Sequence, residues 1–245
     1  MYQFFVNEPI SVGDKITLSK EQSHHALTVL RLHHETVRLV YEGKAYFGDG
    51  HCENKSFVVE VFEQDNRVTE LPCNVTLMMA LIRKEKMEFV LQKCTELGIA
   101  KIVPFNSSRT VIHYDKDKSR KVLDRWNLIL EESSAQCKRN IIPQLTDIVS
   151  IKDLVKYKEE QNFIAYENAE SENNIFGQTI EKSSICYCIG PEGGFSEEEA
   201  DFLVSNGFKM TSFGNRILRA ETAAIYGMSI LSNELENLTI RKSSD

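Results

Sequence analysis

The run Ile189-Gly190-Pro191-Glu192-Gly193-Gly194-Phe195-Ser196 joins an apolar segment, SSICYCIG, to an acidic segment, SEEEADFLV. The apolar segment predicts a buried strand. The acidic segment predicts a helix, because Ser196 and Glu199 have the spacing of a capping box. Open α/β folds bind ligands at glycine-rich turns of this kind, where a strand ends. Taken alone, the run is equally compatible with a ligand-binding loop and with an ordinary strand-to-helix turn.

The predicted helix start carries three carboxylates, Glu197, Glu198 and Glu199. A helix N-terminus binds phosphate through its N–H groups and the positive end of its dipole, so carboxylates there oppose a phosphate. The chain also contains neither G-x-G-x-x-G nor G-x-x-x-x-G-K-[ST]. We therefore expect a ligand other than a nucleotide held by its phosphates.

The composition is that of a soluble globular protein, with 245 residues, 42% of them hydrophobic and 27% charged. Neither a signal peptide nor a transmembrane segment is indicated, so the expected location is the cytoplasm. The six cysteines are scattered, which favours reduced thiols, and a metal site is not expected because no Cys or His spacing matches one.

The net charge of −7 is unevenly distributed along the chain. Residues 83–139 contain 13 Lys or Arg against 8 Asp or Glu, a local charge of +5, whereas the segments on either side are acidic. A local basic surface can bind RNA even on an acidic protein. The alternative is a set of solvated helix faces with no ligand.

Two regions differ in their periodicity. The first seventy residues contain short alternating segments with turn signals between them, which predicts a small β-rich module, a barrel, with one helix around EQSHHALTVLRL. From Asn74, the segments NVTLMMALI, KEKMEFVLQKCTEL and AKIVPF read as strand, helix and strand. Further strands and helices alternate after them. The fold class is therefore α/β, with a mostly parallel sheet covered by helices on both faces.

Two polar constellations are candidates for function. Glu132, Gln136 and Arg139 are spaced to share one face of a helix predicted over residues 118–139, which suits either RNA contact or an exposed polar stripe. Arg219 and Glu221 flank a helix start after the strand KMTSFG, and they form either a surface pair or a cation and a carboxylate at the same sheet edge as the glycine run. The small residues that follow them allow another backbone to pack closely.

Together the motifs resemble a known family. IGPEGGFSEEE and FGNRILRAETAA, preceded by HHALTVLRL, KMEFVLQKCTELGIAKIVPF and AQCKRNIIP, are similar to the motifs of the bacterial 16S ribosomal RNA uridine-N3 methyltransferases, the RsmE family of the SPOUT class. The resemblance runs in order from about Phe5 to Leu235, and the first two motifs are highly specific to that family.

The resemblance implies a fold and partners. Residues 1–70 would form a PUA-like RNA-binding β-barrel, and residues 73–245 a SPOUT methyltransferase domain with a C-terminal trefoil knot. The cofactor would be S-adenosylmethionine, whose sulfonium cation would explain the acidic helix start. The substrate would be 16S ribosomal RNA or the small ribosomal subunit, methylated at N3 of a uridine. The enzyme would be a homodimer that needs neither a metal nor a membrane.

The resemblance also assigns residues. Arg219 and Glu221 would be catalytic, Arg219 stabilising negative charge and Glu221 acting as a base or an orienting group. The cofactor-binding residues would be Ala165, Tyr166, Glu167, Gly190, Pro191, Glu192, Gly193, Gly194, Leu218, Arg219, Glu221, Thr222 and Ala223. The RNA-binding residues would be Arg31, Arg83, Lys84, Gln136 and Arg139.

The sequence departs from the family pattern in two places. Ser133 and Ala135 replace the usual alanine and glutamate of the helix motif, and His34-Glu35 replaces a glycine and an aspartate. Both changes concern local RNA contacts. Two other functions remain compatible with the sequence: ribose 2′-O-methylation of RNA by a related SPOUT enzyme, and a non-catalytic RNA-binding factor in ribosome assembly.

Overall fold

The computed structural model of the chain describes residues 1–112, 114–167 and 183–242, which form two compact units. Unit 1 consists of Met1–Glu70 and Ser134–Ile141, and unit 2 of Leu71–Ser133 and Ile142–Asp245. The strands are β1 (Gln3–Phe5), β2 (Lys15–Thr17), β3 (His34–Tyr41), β4 (Lys44–Glu53), β5 (Ser56–Asp65), β6 (Val75–Ala80), β7 (Lys101–Asn106), β8 (Gln144–Leu145), β9 (Val149–Ser150), β10 (Gln161–Ala165), β11 (Ile185–Ile189) and β12 (Lys209–Thr211). The helices are α1 (Lys20–His24), a π-helical turn (His25–Val29), α2 (Lys84–Glu96), α3 (Lys116–Cys137), a 3-10 helix (Ile151–Tyr157), α4 (Glu197–Ser205) and α5 (Ala220–Lys242).

Unit 1 contains a five-stranded sheet in the order β1-β3-β4-β5-β2. The pairs among β2, β3, β4 and β5 are antiparallel, whereas β1 runs parallel to β3. Alternate side chains of these strands, such as Val37 and Leu39 of β3 and Phe57 and Val59 of β5, are fully buried in one apolar core. The strands and the helix predicted in the first seventy residues are present.

A buried polar cluster ties the end of α3 to the sheet of unit 1. We call Gln3, Arg38, Asp65, Arg67 and Asn140 the Arg38 cluster. Arg38 is fully buried, and its guanidinium donates to the Asp65 carboxylate, to Gln3 Oε1 and to Asn140 Oδ1. Because buried charge is costly unless it is paired, these partners fix the segment after α3 against the sheet.

The helix α3 ends before Arg139, which corrects one sequence expectation. Lys138 adopts a positive φ of 67°, so the chain leaves the helix after Cys137 and Arg139 does not share a helical face with Glu132 and Gln136. The Arg139 side chain is buried instead, with Nε 2.9 Å from a carboxylate oxygen of Glu70.

Unit 2 is built on a sheet in the order β12-β10-β11-β6-β7-β8, with β9 also paired to β7. Every pairing recorded among its described strands is parallel, so their carboxyl ends lie at one edge. The predicted βαβ unit is β6-α2-β7, and Gly98 ends α2 with a φ of 97°, as expected for a helix stop. The mostly parallel α/β sheet is confirmed.

Both faces of this sheet are buried, and side chains alternate between them. Leu77 and Met79 of β6 face a core that α2, α3 and α5 complete, whereas Met78 and Ala80 face a core that α4 and the 3-10 helix complete. Cys186 and Cys188, two residues apart on β11, share the second face. Helices therefore cover both faces of the sheet, and the loops that follow the strands lie at the edge where the carboxyl ends of the strands meet.

The small-residue face of α5 packs within the chain. Ala223, Ala224 and Gly227 are buried against the sheet, and the hydroxyl of Tyr187 donates to the carbonyl oxygen of Ala224 at 2.9 Å. A Cβ on Gly227 would lie 3.0 Å from the Phe213 ring and 3.1 Å from that of Tyr187. The close approach that these residues permit is thus between α5 and its own sheet.

Three further findings concern membranes, metals and thiols. Within the residues that the structure describes, none of the helices has the length and hydrophobicity needed to cross a bilayer. The same residues contain no group of three or more His, Cys, Asp or Glu side chains arranged to hold a metal ion. Cys94, Cys186 and Cys188 are buried free thiols, and burial raises the pKa values of Cys186 and Cys188 well above the usual range.

Candidate functional site

A cavity of about 490 Å³ lies in unit 2 at the carboxyl ends of β10, β11 and β12. The loops that follow these three strands form its walls, together with the starts of α2 and α5. Its lining residues are Lys86, Ala165, Tyr166, Glu167, Ile189, Gly190, Pro191, Glu192, Gly194, Phe195, Thr211, Ser212, Phe213, Gly214, Asn215, Arg216, Ile217, Leu218, Arg219, Ala220 and Ala223. Two sequence motifs far apart in the chain therefore meet at one sheet edge.

The glycine run after β11 forms a tight turn that needs glycine at one position. Gly194 has a φ of 68°, and its N–H donates to the Pro191 carbonyl at 2.9 Å. Arg109, in the loop after β7, donates from Nη1 to the carbonyl oxygens of Gly193 and Phe195 at 3.0 and 3.2 Å. Arg109, which is not a lining residue, thus holds the turn, while Gly190 and Gly194 of the same turn line the cavity.

The acidic start of α4 has a structural role, which corrects the interpretation of its charge. The predicted capping box of Ser196 and Glu199 is present. Glu199, however, is buried and accepts hydrogen bonds from Ser107 Oγ at 3.0 Å and from the N–H of Ser108 at 2.6 Å. As far as the structure describes the chain, none of Glu197, Glu198 and Glu199 lines the cavity. These carboxylates therefore do not report the charge of a ligand.

The start of α5 forms the opposite wall. Arg219 and Ala223 line the cavity, while Thr222 is exposed inside the first turn and does not cap the helix, which begins at Ala220. Glu221 faces α2, and Lys86 Nζ lies 3.0 and 3.1 Å from its two carboxylate oxygens.

The Glu221 carboxyl is held in its ionised form. Burial alone would raise its pKa, but its backbone hydrogen bond, its contact with Lys86 and the nearby charge of Arg219 outweigh burial, and the pKa is lowered. A carboxylate with a lowered pKa is a weaker base. Its side chain is 16% exposed, and that of Lys86 is 29% exposed.

Lys86 lines the cavity but is not among the site residues predicted from the sequence, and the same is true of Arg216 and several neighbouring lining residues. It lies in the first turn of α2, just after β6, and β6 pairs with β11 in the sheet. The resemblance assigns RNA contact to its neighbours Arg83 and Lys84 instead. The sheet order, which the sequence does not state, is what brings Lys86 beside Glu221.

The structure brings most of the predicted cofactor residues together. Those that line the cavity are Ala165, Tyr166, Glu167, Gly190, Pro191, Glu192, Gly194, Leu218, Arg219 and Ala223. Gly193, Glu221 and Thr222 lie directly beside them without lining it.

The predicted RNA-binding residues are more scattered. Arg83 and Lys84 are exposed at the start of α2, and the N–H of Arg83 donates to Glu192 Oε1 at 3.3 Å. Arg31 and Gln136 are exposed on unit 1, and Arg139 is buried against Glu70 there.

The cavity wall carries charges of both signs. Lys86, Arg216 and Arg219 supply cations, and Glu167 and Glu192 supply carboxylates, among apolar side chains and backbone amides. Such a wall suits a small molecule with polar ends and an apolar middle. Arginine and lysine at the wall can also stabilise negative charge that develops on a reacting group.

Comparisons with known proteins agree with this arrangement. The model of the RNA methyltransferase domain family matches residues 69–232, two thirds of the chain, which include most of unit 2 and every cavity residue. The chain is 30% identical to the ribosomal RNA small subunit methyltransferase E of Bacillus subtilis, over 97% of this chain and 98% of the relative. It is 33% identical to the protein of the same name from Mesomycoplasma hyopneumoniae, over 92% and 96% of the two chains.

Solved structures show the same fold. The ribosomal RNA small subunit methyltransferase E of Neisseria gonorrhoeae, bound to S-adenosylmethionine, superposes with a TM-score of 0.86 at 29% identity, covering 95% of this chain and 97% of that one. A Legionella pneumophila protein described as a methyltransferase, with S-adenosylmethionine bound, gives 0.88 at 31% identity and covers the same shares. Matches of this extent are those of common descent, and the chain belongs to the RNA methyltransferase family, in the group of ribosomal RNA small subunit methyltransferases E.

Proposed function

We propose that this protein transfers a methyl group from S-adenosylmethionine to N3 of a uridine in 16S ribosomal RNA. The observation that carries the proposal is the convergence of the loops after β10, β11 and β12 on one cavity, lined by the IGPEGG and ILRAETA segments. The gonococcal relative, similar over nearly its whole length, has S-adenosylmethionine bound. Membership in the small-subunit methyltransferase group supports ribosomal RNA as the substrate.

The residues present fit the cofactor. The cavity volume of about 490 Å³ lies in the range of roughly 300–1,000 Å³ that is usual for small-molecule sites. Backbone amides and carbonyls of the glycine turn suit an adenine and its ribose, and Glu167 suits hydroxyl or cationic groups. Apolar side chains such as Phe213 and Leu218 suit a thioether arm. Glycine at 194 keeps the turn open where a side chain would strain it.

Arg219 and Glu221 have different roles in the proposed mechanism. S-adenosylmethionine supplies, when bound, a methyl group activated by a sulfonium centre. The reaction forms the N3–carbon bond, breaks the carbon–sulfur bond with its electron pair left on sulfur, and releases the N3 proton. As that proton leaves, negative charge spreads over the uracil carbonyl oxygens, and Arg219 at the cavity wall stabilises it. The pairing of Glu221 with Lys86 supports an orienting role for Glu221 rather than that of a base.

RNA is proposed to contact both units. Residues 1–70 act as a PUA-like RNA-binding barrel, and residues 73–245 form the SPOUT domain with its trefoil knot. Arg31, Arg83, Lys84 and Gln136 are exposed, which suits contact with the RNA backbone. Arg139 holds the segment that carries Gln136 through its pair with Glu70. The enzyme works as a cytoplasmic homodimer without a metal.

The test is direct mapping of the product. The purified protein is incubated with S-adenosylmethionine and small ribosomal subunits from a strain that lacks this activity, and the RNA is digested to nucleosides for mass spectrometry. We expect N3-methyluridine at a single position. A ribose 2′-O-methyl product would favour the related SPOUT activity instead. No product, together with no cofactor binding in calorimetry, would favour a non-catalytic RNA-binding factor.

A further inference from the structure

Lys86 and Glu221 form a two-oxygen ion pair at the cavity wall. The ammonium is within about 3 Å of both carboxylate oxygens, and Lys86 itself lines the cavity whereas Glu221 is not one of its lining residues. The pair joins the first turns of α2 and α5, two helices that pack on the same face of the sheet. The cation is therefore the member of the pair that a molecule in the cavity would meet.

We propose that Lys86 is a second substrate-facing cation of this site: it keeps Glu221 from accepting the N3 proton and, with Arg219, stabilises the uracil anion. This inference rests on the proposed function. It deepens that function by assigning the N3 proton to solvent and the charge stabilisation to Lys86 of α2 and to Arg219, the residue before α5. Solvent water takes the N3 proton, the N3 electron pair forms the bond to carbon, and sulfur keeps the pair from the broken bond.

The position of Lys86 distinguishes it from a purely structural lysine. Lys93, on the same helix, pairs with Glu96 three residues away and does not line the cavity in the part of the chain that the structure describes. That pair is local to one helix and is typical of a weak surface interaction. The Lys86 pair bridges two helices and is more buried at its carboxylate, so its charges are less screened by water.

Charged groups of both signs share the cavity with Lys86. Arg216 and Arg219 from the segment before α5, and Glu167 and Glu192 from the loops after β10 and β11, line the same cavity as Lys86, and Glu221 contacts Lys86 directly. On its own helix, Arg83, Lys84 and Glu85 are exposed. Glu192 accepts a hydrogen bond from the Arg83 N–H. Two cations of the cavity wall lie beside the Glu221 carboxylate: Lys86 contacts it, and the charge of Arg219 acts on it from nearby.

The pH dependence of methyl transfer separates this role from the alternatives. If solvent takes the N3 proton, the single-turnover rate rises with pH until the bound uridine is ionised, and cations near the uracil lower the pH of the half-maximal rate. In Lys86→Met, the cation is lost and Glu221 is left unpaired, so that midpoint should rise by about one unit and the rate below it should fall about tenfold. Lys86→Arg should restore the midpoint. The matched control, Lys93→Met, should leave it unchanged.

In Glu221→Gln, the pH of the half-maximal rate should move in the opposite direction. This substitution removes the carboxylate and leaves the cation, so the midpoint should fall while the maximal rate changes by less than about tenfold. A loss of about a hundredfold with a flattened pH profile would identify Glu221 as the base and overturn the proposal. A Lys86→Met variant that is slower at every pH with an unmoved midpoint would show a structural role only and would also overturn it. If the wild type makes no N3-methyluridine at all, the proposed function fails first and this inference fails with it.

Discussion

The Arg38 cluster of unit 1 and the Lys86–Glu221 pair of unit 2 are both ion pairs between distant segments, yet they serve different ends. Arg38 is fully buried, and its guanidinium is surrounded by fixed protein acceptors. Lys86 is nearly a third exposed and faces a cavity. A charge enclosed by protein partners fixes the fold, whereas a charge paired on one side and open to a cavity on the other can act on a ligand.

The largest expected effect on stability concerns the buried pair of Arg38 and Asp65. Asp65→Asn leaves the Arg38 guanidinium without its counter-charge in a buried site, so the free energy of unfolding should fall by roughly 3–5 kcal/mol. Urea denaturation followed by circular dichroism measures this. Glu53→Gln, which removes the exposed partner of Lys15 in the same sheet, serves as the control and should cause no measurable change. A loss no larger in Asp65→Asn than in the control would show that the cluster does not hold unit 1 together.

The same carboxylate predicts a pH dependence of stability. Hydrogen bonds from Arg67, and further ones from Arg38, hold the Asp65 pKa well below its usual range despite its burial. A lowered folded-state pKa stabilises the protein above the unfolded value of about 3.9, and that contribution disappears as the pH falls through the folded value. The difference in unfolding free energy between wild type and Asp65→Asn should therefore narrow below about pH 4. A constant difference from pH 7 to pH 3 would contradict this.

The cavity charge should affect the reaction more than the fold. Arg219→Ala removes the guanidinium proposed to stabilise the uracil anion, so the turnover rate should fall by about a hundredfold to a thousandfold. Lys152→Ala, at an exposed position of the 3-10 helix, is the control. Rates are measured with labelled S-adenosylmethionine on unmethylated small subunits. Full methyl transfer with unchanged cofactor affinity would show that Arg219 has no electrostatic role.

A smaller effect is expected at the support of the glycine turn. Glu199→Gln weakens the bonds to Ser107 and Ser108, so the free energy of unfolding should fall by about 1–3 kcal/mol. The affinity for S-adenosylmethionine should fall with it, by about tenfold, because Arg109, the residue after Ser108, holds the glycine turn through its carbonyl oxygens. Glu197→Gln, in the same helical turn but exposed, should change neither. Calorimetry and thermal unfolding measure both, and equal behaviour of the two variants would contradict the supporting role.

Local patterns predicted much of the fold. The helix predicted in KEKMEFVLQKCTEL is α2, and its Met87, Val90, Leu91 and Cys94 are buried at helical spacing. Alternation predicted the strands of unit 1. Missed elements are short or depend on distant contacts: β8 and β9 have two residues each, and they are held by pairing with β7 rather than by their own sequence. The turn at Lys138 was missed because a non-glycine residue with a positive φ leaves no signal in the sequence.

The sequence indicates those parts of the candidate site that lie within its two recognisable motifs. The glycine turn and the start of α5 lie at one cavity, as the resemblance implied. Glu199 was misread because the sequence shows its charge but not its direction, which depends on the Ser107–Ser108 turn after β7. Lys86 was overlooked because its relation to Glu221 arises from the order of β6 and β11 in the sheet.

The central claim is that the unit 2 cavity, and no part of unit 1, binds S-adenosylmethionine. Glycines at a positive φ in each unit allow a matched test, Gly194 in the cavity turn and Gly43 in the turn between β3 and β4. Valine is strained at both positions. Calorimetric titration should show binding in the wild type and in Gly43→Val, and at least about a tenfold loss of affinity in Gly194→Val. Equal affinity in Gly194→Val and the wild type, or loss of binding in Gly43→Val alone, would contradict the account.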